Sequence, residues 1–479
     1  MPELTRNRRL LVLAICCLSL LIVGMDNTIV NVALPALHLD LHASLSDLQW
    51  TVDAYTLVLA SLLVLAGSTA DRLGRRRTFQ TGLAVFTLGS LLCSLAPTLA
   101  WLVVFRMVQA IGGSMLNPVA MSIITNVFTD RRERAMAIGV WGGVIGISIG
   151  LGPVVGGLLI ESVGWRGIFW VNVPIGVAAF VLAALFIPES RAPRARRPDP
   201  VGQALVVILL ASLTYAIIEA PSRGWTAVST LALLIVSAVS GISLVGYERR
   251  RTDPLIDPRF FRSAPFSGAT VIAIAAFGGF GGFLFLNTLY LQDVRGDSAL
   301  VAGLSTLPLA IGAMIVGPLS GRMVGRIGPR LPLALAGGFM ALAAGLLLGL
   351  ERGTSIWALL GCYGLYAIGF GLVNPPITNS AVSGMPDSQA GVAAAVASTS
   401  RQVGATLGVA VIGSVLNSGL GGALDMRRGF VAAAVPGWGI IVGCGVAVLL
   451  FGVLTTGRWA RRTTANAAHL FDEPELVAA

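Results

Sequence analysis

Lysine is absent from this chain of 479 residues; all 33 basic side chains are arginine. Charge of either sign is scarce, at 12% of residues against 55% hydrophobic. That balance excludes an ordinary soluble domain, in which about a quarter of residues are charged. No nucleotide-binding string of the form G-x-x-x-x-G-K-[ST] occurs, which argues against ATP hydrolysis as an energy source. Cysteine is limited to Cys16, Cys17, Cys93, Cys362 and Cys444. They lie in apolar stretches, are odd in number and lack metal-ligand spacing, so they read as buried thiols and no metal site is expected. No small-residue cleavage site follows the first apolar run, which therefore reads as an uncleaved helix. The short alternating segments of a membrane β-barrel are also missing.

What is present is a series of apolar runs near the length that crosses a bilayer. Fourteen are expected, at 10–36, 48–70, 79–96, 100–122, 135–160, 166–187, 201–219, 226–246, 266–290, 300–321, 331–350, 355–376, 390–416 and 434–457. Gly 58 and Pro 23 suit helices that pack closely and bend. The net charge of +10 could signal nucleic-acid binding, but the arginines alternate with the spans. With both termini on one side, 25 arginines fall in segments on that side, six on the other, and Arg106 and Arg401 within spans. The positive-inside rule then puts both termini in the cytoplasm, with no nucleic-acid partner implied.

An internal repeat divides the chain. Gly67-Ser-Thr-Ala-Asp71-Arg72-Leu73-Gly74-Arg75 follows span 2, and Gly321-Arg-Met-Val-Gly325-Arg326-Ile327-Gly328 follows span 10. Two six-helix halves are expected, at 1–187 and 266–457, with linkers and two extra helices at 188–265 and a cytoplasmic tail at 458–479. Paired halves of this kind are a known transporter plan.

The polar residues inside the spans are the candidate machinery. Asp26 stands alone in the first run, about 24 Å from its start at 1.5 Å per residue. A carboxylate in a membrane span is costly and is usually kept for function. Arg106, in Arg106-Met-Val-Gln109-Ala-Ile-Gly112-Gly113, cannot shed its proton and needs a partner. Burial opposes a charged carboxylate and a nearby arginine favours it, so such a pair can trade protons as its surroundings change. Arg106 is the candidate partner of Asp26. Asp53, near the start of span 2, is either interfacial and permanently charged or a second proton site. Glu219 reads as a solvated charge at a helix end. Span 5 carries Gly146, Gly150, Gly152, Pro153, Gly156 and Gly157, small residues that allow close helix approach and a proline that bends. Trp165-Arg166-Gly167-Ile168-Phe169-Trp170-Val171-Asn172 opens span 6 with interfacial anchors. Asn27, Asn31, Gln109, Asn117, Phe283, Asn287, Asn374 and Arg401 are candidates to line a substrate cavity.

These strings together resemble the major facilitator superfamily and, more narrowly, its fourteen-span drug:proton antiporters of the EmrB/QacA-like group. The resemblance covers essentially the whole chain. It implies an all-α polytopic membrane fold, no enzymatic activity and no cofactor, with export driven by the proton gradient. It further implies that Gly67, Asp71, Arg72, Gly74 and Arg75 latch the two halves on the cytoplasmic side. The glycine string of span 5 resembles the motif of antiporters rather than uptake carriers. Some multidrug relatives place acids in the second half for dicationic drugs. Deep acids are missing from spans 9–14 here, which points to a neutral, monocationic or zwitterionic compound. The reading is efflux of small amphiphilic drugs or antibiotics, with Asp26, Arg106 and Asp53 coupling it to protons. The alternatives are an exporter dedicated to one metabolite or self-made antibiotic, and a non-transporting membrane sensor.

Overall fold

A computed structural model describes residues 5–191, 199–251, 254–385, 389–421, 426–457, 459–460 and 462–464, apart from the side chains at 131, 135, 390 and 426–428. Most of the tail and of the 188–200 linker, and the acids Asp387 and Asp425, thus lie outside the described residues. Every regular element within them is helical. Six long helices come first: α1 (Arg6–Leu41), α2 (Leu45–Leu73), α3 (Arg75–Ser94), α4 (Leu99–Val127), α5 (Arg131–Val163) and α6 (Asn172–Phe186), the last entered through the turn Gly167–Trp170. A pair follows, α7 (Pro200–Arg223) and α8 (Val228–Glu248). Then come α9 (Ala264–Leu289), α10 (Leu307–Ile327, preceded by the short helix Ala299–Ser305), α11 (Arg330–Leu346), α12 (Ile356–Ser383), α13 (Ala390–Leu420) and α14 (Met426–Leu454).

Thirteen of these segments are long and apolar enough to cross a membrane. The expected count of fourteen fails on composition at α3 alone. Its 20 residues open on three arginines and carry Thr78, Gln80, Thr81, Ser90 and Ser94. That helix packs against α4 and α6, so neighbours rather than lipid face much of its polar side.

Helix pairings in the first six helices recur in the last six. α1 packs on α5 as α9 packs on α13, α2 on α4 as α10 on α12, and α3 on α6 as α11 on α14. The sequence repeat has the same local geometry in both places. Gly74 (φ 113°) links α2 to α3, and Gly328 (φ 81°) ends α10. Each donates its N–H back into the helix it closes, to the Ala70 and Val324 carbonyls. A side chain at either φ would be strained, so glycine is required. α7 and α8 pack on each other, and α7 also touches α2 and α13. α8 leaves Val228, Ile235 and Ile242 largely exposed, a surface suited to lipid.

Among the described residues, the hydrogen bonds that join α2 to α13 lie toward one end. Call the end bearing Arg9, Arg72 and Arg75–Arg77 the basic end. At the opposite, far end, α2 is bonded to α13: Gln49 Nε2 donates to the Val409 and Ala410 carbonyls (3.3 and 2.9 Å), the Thr406 hydroxyl to Thr56 (2.9 Å), and Asn417 to Ser46 (3.4 Å). α5 likewise meets 299–305 and α10. Toward the basic end, Gly139, Gly142 and Gly143 of α5 and Gly321 and Gly325 of α10 have open space where a side chain would stand. The halves are thus bonded together at the far end, and these glycines are uncovered toward the basic end.

Candidate functional site

Arg106 and Gln109 sit three residues apart, so they project from one face of α4. That face points at the middle of α1, where Asp26 is fully buried. Arg106 Nη1 donates to Asp26 Oδ2 at 2.5 Å and to Gln109 Oε1 at 2.7 Å. Gln109 Nε2 donates to Asp26 Oδ1 (2.8 Å) and Ser90 Oγ (2.6 Å). Asn172, at the start of α6, donates through Nδ2 to Asp26 Oδ1 (3.0 Å) and Ser90 Oγ (3.3 Å). Arg106 Nε reaches the Thr51 carbonyl at 3.3 Å, and its guanidinium lies 4.2 Å from the Tyr55 ring centroid. Five helices therefore contribute to one network, in which α4 and α6 bond directly to the Asp26 carboxylate of α1.

The chemistry follows from what each group can do. The guanidinium stays charged, and the two amides can turn over to offer oxygen or nitrogen. Asp26 is the member able to gain or lose a proton beside a fixed cation. A buried pair of this kind is stable only while both partners and their hydrogen bonds are present. Arg106 has three distinct acceptors and an aromatic face, a set that fits guanidinium better than ammonium.

Four residues of this network were given no role in the site from sequence: Thr51, Tyr55, Ser90 and Asn172. Asn172 carried a signal, as a polar amide in the apolar string that opens span 6. Ser90 carried none, because serine is common in packed membrane helices. Gln109 belongs to the buried network rather than to a cavity wall.

Asp53 corrects the interfacial reading. It is fully buried, and neither carboxylate oxygen has a hydrogen-bond partner. Its helical neighbours Gln49 and Thr56 bond to α13, and α7 covers another face of α2. The carboxyl is thereby enclosed where the halves join. Glu219 is also no free end charge: it accepts from Trp50 Nε1 (3.3 Å) and Arg223 Nε (3.4 Å).

The loop after α2 is held within its own half. Arg75 pairs with Asp71 at 3.1 Å, and Arg75 N donates to the Ser190 carbonyl at 2.9 Å. Glu189 accepts from Arg76 N at 3.1 Å, and its carboxylate lies where a side chain on Gly74 would stand. Arg72 is exposed, and Gly67 lies near Pro118. Among the described residues this loop's hydrogen bonds and ion pairs stay within the first half.

The α5 glycines divide between two partners. Side chains added at Gly152 and Gly156 would strike Thr28 and Ile29 of α1, next to Asp26. At Gly146, Gly150 and Gly157 they would press on Met314, Ala310 and the Ala299–Leu300 backbone of the other half, while the Pro153 carbonyl lies against Gly303. Gly157→Val should therefore pry the far end open, since backbone cannot step aside. Overpacking costs about 1–3 kcal/mol, enough to move a two-state equilibrium by about 5- to 150-fold. Spin labels at Ser162→Cys and Ser298→Cys should move apart in Gly157→Val, and an unchanged distance distribution would remove this glycine from the closure.

Two cavity candidates are corrected. Phe283 is fully buried, stacked on Tyr366 with centroids 4.2 Å apart and edge-on to Trp438. Asn287 accepts from the Tyr363 hydroxyl at 2.6 Å and donates to the Phe283 carbonyl at 2.8 Å. Both belong to the packed interior of the second half. Asn31 is buried and donates to the Asn27 carbonyl at 3.3 Å, with its Oδ1 unpartnered. Asn27, Asn117, Asn374 and Arg401 are half-buried.

Comparison with known proteins accords with this architecture. Residues 16–409 match the Major Facilitator Superfamily model. The chain is 38% identical to the multidrug resistance protein Stp of Mycobacterium tuberculosis, covering 87% of this chain and 78% of that protein. It is also 38% identical to the tetracenomycin C resistance and export protein of Streptomyces glaucescens, covering 84% and 75%. The multidrug efflux pump LfrA of Mycolicibacterium smegmatis is 33% identical, covering 89% and 85%. Among solved structures, a bacterial homologue of the human lysosomal transporter Spinster, inward-facing and unoccupied, aligns with a TM-score of 0.65 at 18% identity, covering 97% of this chain and 99% of that one. A buried carboxylate–arginine centre within paired six-helix halves, and a family match across most of the length, lead to one assignment: the chain belongs to the Major Facilitator Superfamily and is a membrane transport protein, not an enzyme.

Proposed function

We propose that this protein exports small amphiphilic drugs or antibiotics across the cytoplasmic membrane in exchange for protons. The observation that carries the reading is the enclosed Asp26–Arg106 pair with its amide partners. A titratable group held against a fixed cation at the meeting of five helices is suited to alternate between proton-bound and proton-free forms as helices shift. The names of the relatives, which include multidrug pumps and single-antibiotic resistance proteins, support efflux. No cofactor is required, since the proton gradient supplies the energy. Asp53 is the second candidate proton carrier, and Asp71 with its arginines would latch the basic end in the opposite state.

The arginine distribution supports an orientation with both termini in the cytoplasm. In that frame the bonded end faces outward, an arrangement suited to loading substrate from inside. Labelling of single cysteines in a cysteine-free background checks this. Ser222→Cys and Ser298→Cys are exposed at the far end and should react with an impermeant reagent from outside. Ser190 is a poor inner control because it is buried, whereas the adjacent Arg191 is exposed. Arg191→Cys should react only after permeabilisation, and its labelling in intact cells would reverse the orientation.

The function itself is tested by energised efflux in a host stripped of its own pumps. Cells expressing the protein should extrude amphiphilic antibiotics and lose that ability on adding a protonophore. Efflux that survives collapse of the proton gradient would defeat the coupling. A dedicated exporter of one compound is favoured by the tetracenomycin C and methylenomycin A resistance proteins among the relatives. Resistance to one member of the panel, rather than many, would select it.

A further inference from the structure

Arg401 is the second arginine inside a span, and among the described residues it differs from Arg106 in having no carboxylate partner. Its Nη2 donates to the Thr378 hydroxyl, and the guanidinium lies 5.9 Å from the Phe277 centroid. Its Nε is buried and unpartnered, and no carboxylate pairs with it among the described residues. The two partners it has are neutral, so the charge itself is uncompensated. In a membrane span such a cation is costly and is usually kept for function.

Its height in the fold says where that charge is offered. The bonds between α2 and α13 end at Thr56–Thr406. Arg401 lies five residues below Thr406, about 7.5 Å nearer the basic end at 1.5 Å per residue. It thus sits just beyond the last of those bonds, on the basic-end side. Phe277 and Thr378 beside it are half-buried, Phe277 lying edge-on to Phe370 with centroids 5.2 Å apart, whereas Phe280 and Phe283 farther along α9 are buried in stacked aromatic pairs. The facing helix offers no ready anion: Asp53 lies on the far side of the Thr56–Thr406 contact, about 12 Å away along the axis. The α12 and α13 sequences hold no Asp or Glu at all.

We propose that Arg401 is a substrate-recognition residue that binds the acidic group of an exported weak acid or zwitterion, with Phe277 receiving the adjoining aromatic ring. The assignment rests on the exporter reading above and narrows its substrate class. A planar guanidinium with an unpartnered Nε suits a carboxylate or a phenolate oxygen. The compound would bring the anion that the protein withholds.

Export is measured in the pump-deficient host with the full chain. The compounds are a panel of acidic, neutral and cationic antibiotics, plus the ring-matched probes pyrenebutyrate, pyrenebutanol and pyrenebutylamine. The wild type should prefer the acids. Arg401→Gln should lower the ratio of acid to neutral export by about ten- to a hundredfold, the size of one charged hydrogen-bonded contact. Arg401→Lys should restore part of that ratio. Purified Arg401→Gln should melt within a few degrees of the wild type, because its one side-chain partner is a surviving hydroxyl. An equal loss for all three charge classes together with a large fall in melting temperature would make Arg401 a helix lock and overturn the proposal. Export confined to cations or neutral compounds would overturn the acid assignment and leave the exporter standing. Export of no panel member by the wild type would remove the exporter reading and this proposal with it.

Discussion

Asp26→Asn should abolish uphill efflux and substrate-induced proton movement in proteoliposomes, by at least two orders of magnitude relative to the wild type if Asp26 is the coupling group. Asparagine keeps the size of aspartate and removes titration. It resembles the protonated acid and so should hold the centre in that form. The hydrogen bonds explain why binding can survive while coupling does not. Asparagine can still offer Oδ1 to Arg106, but its Nδ2 then meets the donors of Gln109 and Asn172, which now converge on Asp26 Oδ1. Those amides can turn over, at the expense of Gln109 accepting from Arg106. The helices stay close while the proton site is lost. Asp26→Glu keeps the acid but pushes one extra methylene into a fully buried site, so it should retain a fraction of the exchange. The measurement is a pH-gradient assay on each variant, read beside substrate binding. Full substrate/proton exchange by Asp26→Asn would move the proton to another group, and Asp53, enclosed and unpartnered, is next in line.

The spans and the two members of the central pair were legible because a charged residue in an apolar run has few bland explanations. Their meeting was not legible: Asp26 and Arg106 are 80 positions apart, and only the packing of α1 against α4 joins them. Asn172 and Ser90 illustrate the harder case, since one side chain of ordinary polarity in a membrane helix bears no mark of its partners. Phe283 and Asn287 show the opposite failure. An aromatic and an amide one turn apart suggest a cavity wall, yet Tyr363, 76 positions from Asn287, supplies the hydroxyl that satisfies the amide. Hydropathy tells that a helix is in a membrane; it does not tell which face meets lipid, protein or water. The glycines of α5 were recognisable as a packing string, but their division between α1 and the opposite half depends on contacts that spacing alone does not encode. α3 failed as a span on hydropathy because its polar side is spent on neighbours, which a window average along one helix cannot register.

Arg106→Gln should be the most destabilising single change at the centre, and removing Asp26 as well should relieve it. The carboxylate is fully buried and Arg106 is 1% exposed, so deleting the cation leaves an anion with two amide donors and no counter-charge. Breaking a buried pair from one side costs about 3–5 kcal/mol, whereas replacing both partners by neutral groups is often close to neutral. The double variant Asp26→Asn/Arg106→Gln should therefore recover most of the thermal stability and membrane yield lost by Arg106→Gln, while transport stays absent in both. Arg106→Lys should fall between, because an ammonium keeps the charge yet cannot reach Asp26, Gln109 and the Thr51 carbonyl together in the geometry the guanidinium uses. The check is a melting series in detergent across the wild type, the two single variants and the double variant. This separates the two duties of the pair: stability answers to the balance of charge, transport to a titratable acid held against a fixed cation. A double variant no more stable than Arg106→Gln would show that Arg106 holds the helices through Gln109, Thr51 and the Tyr55 ring rather than by balancing Asp26, and the coupling model would then lose its fixed cation.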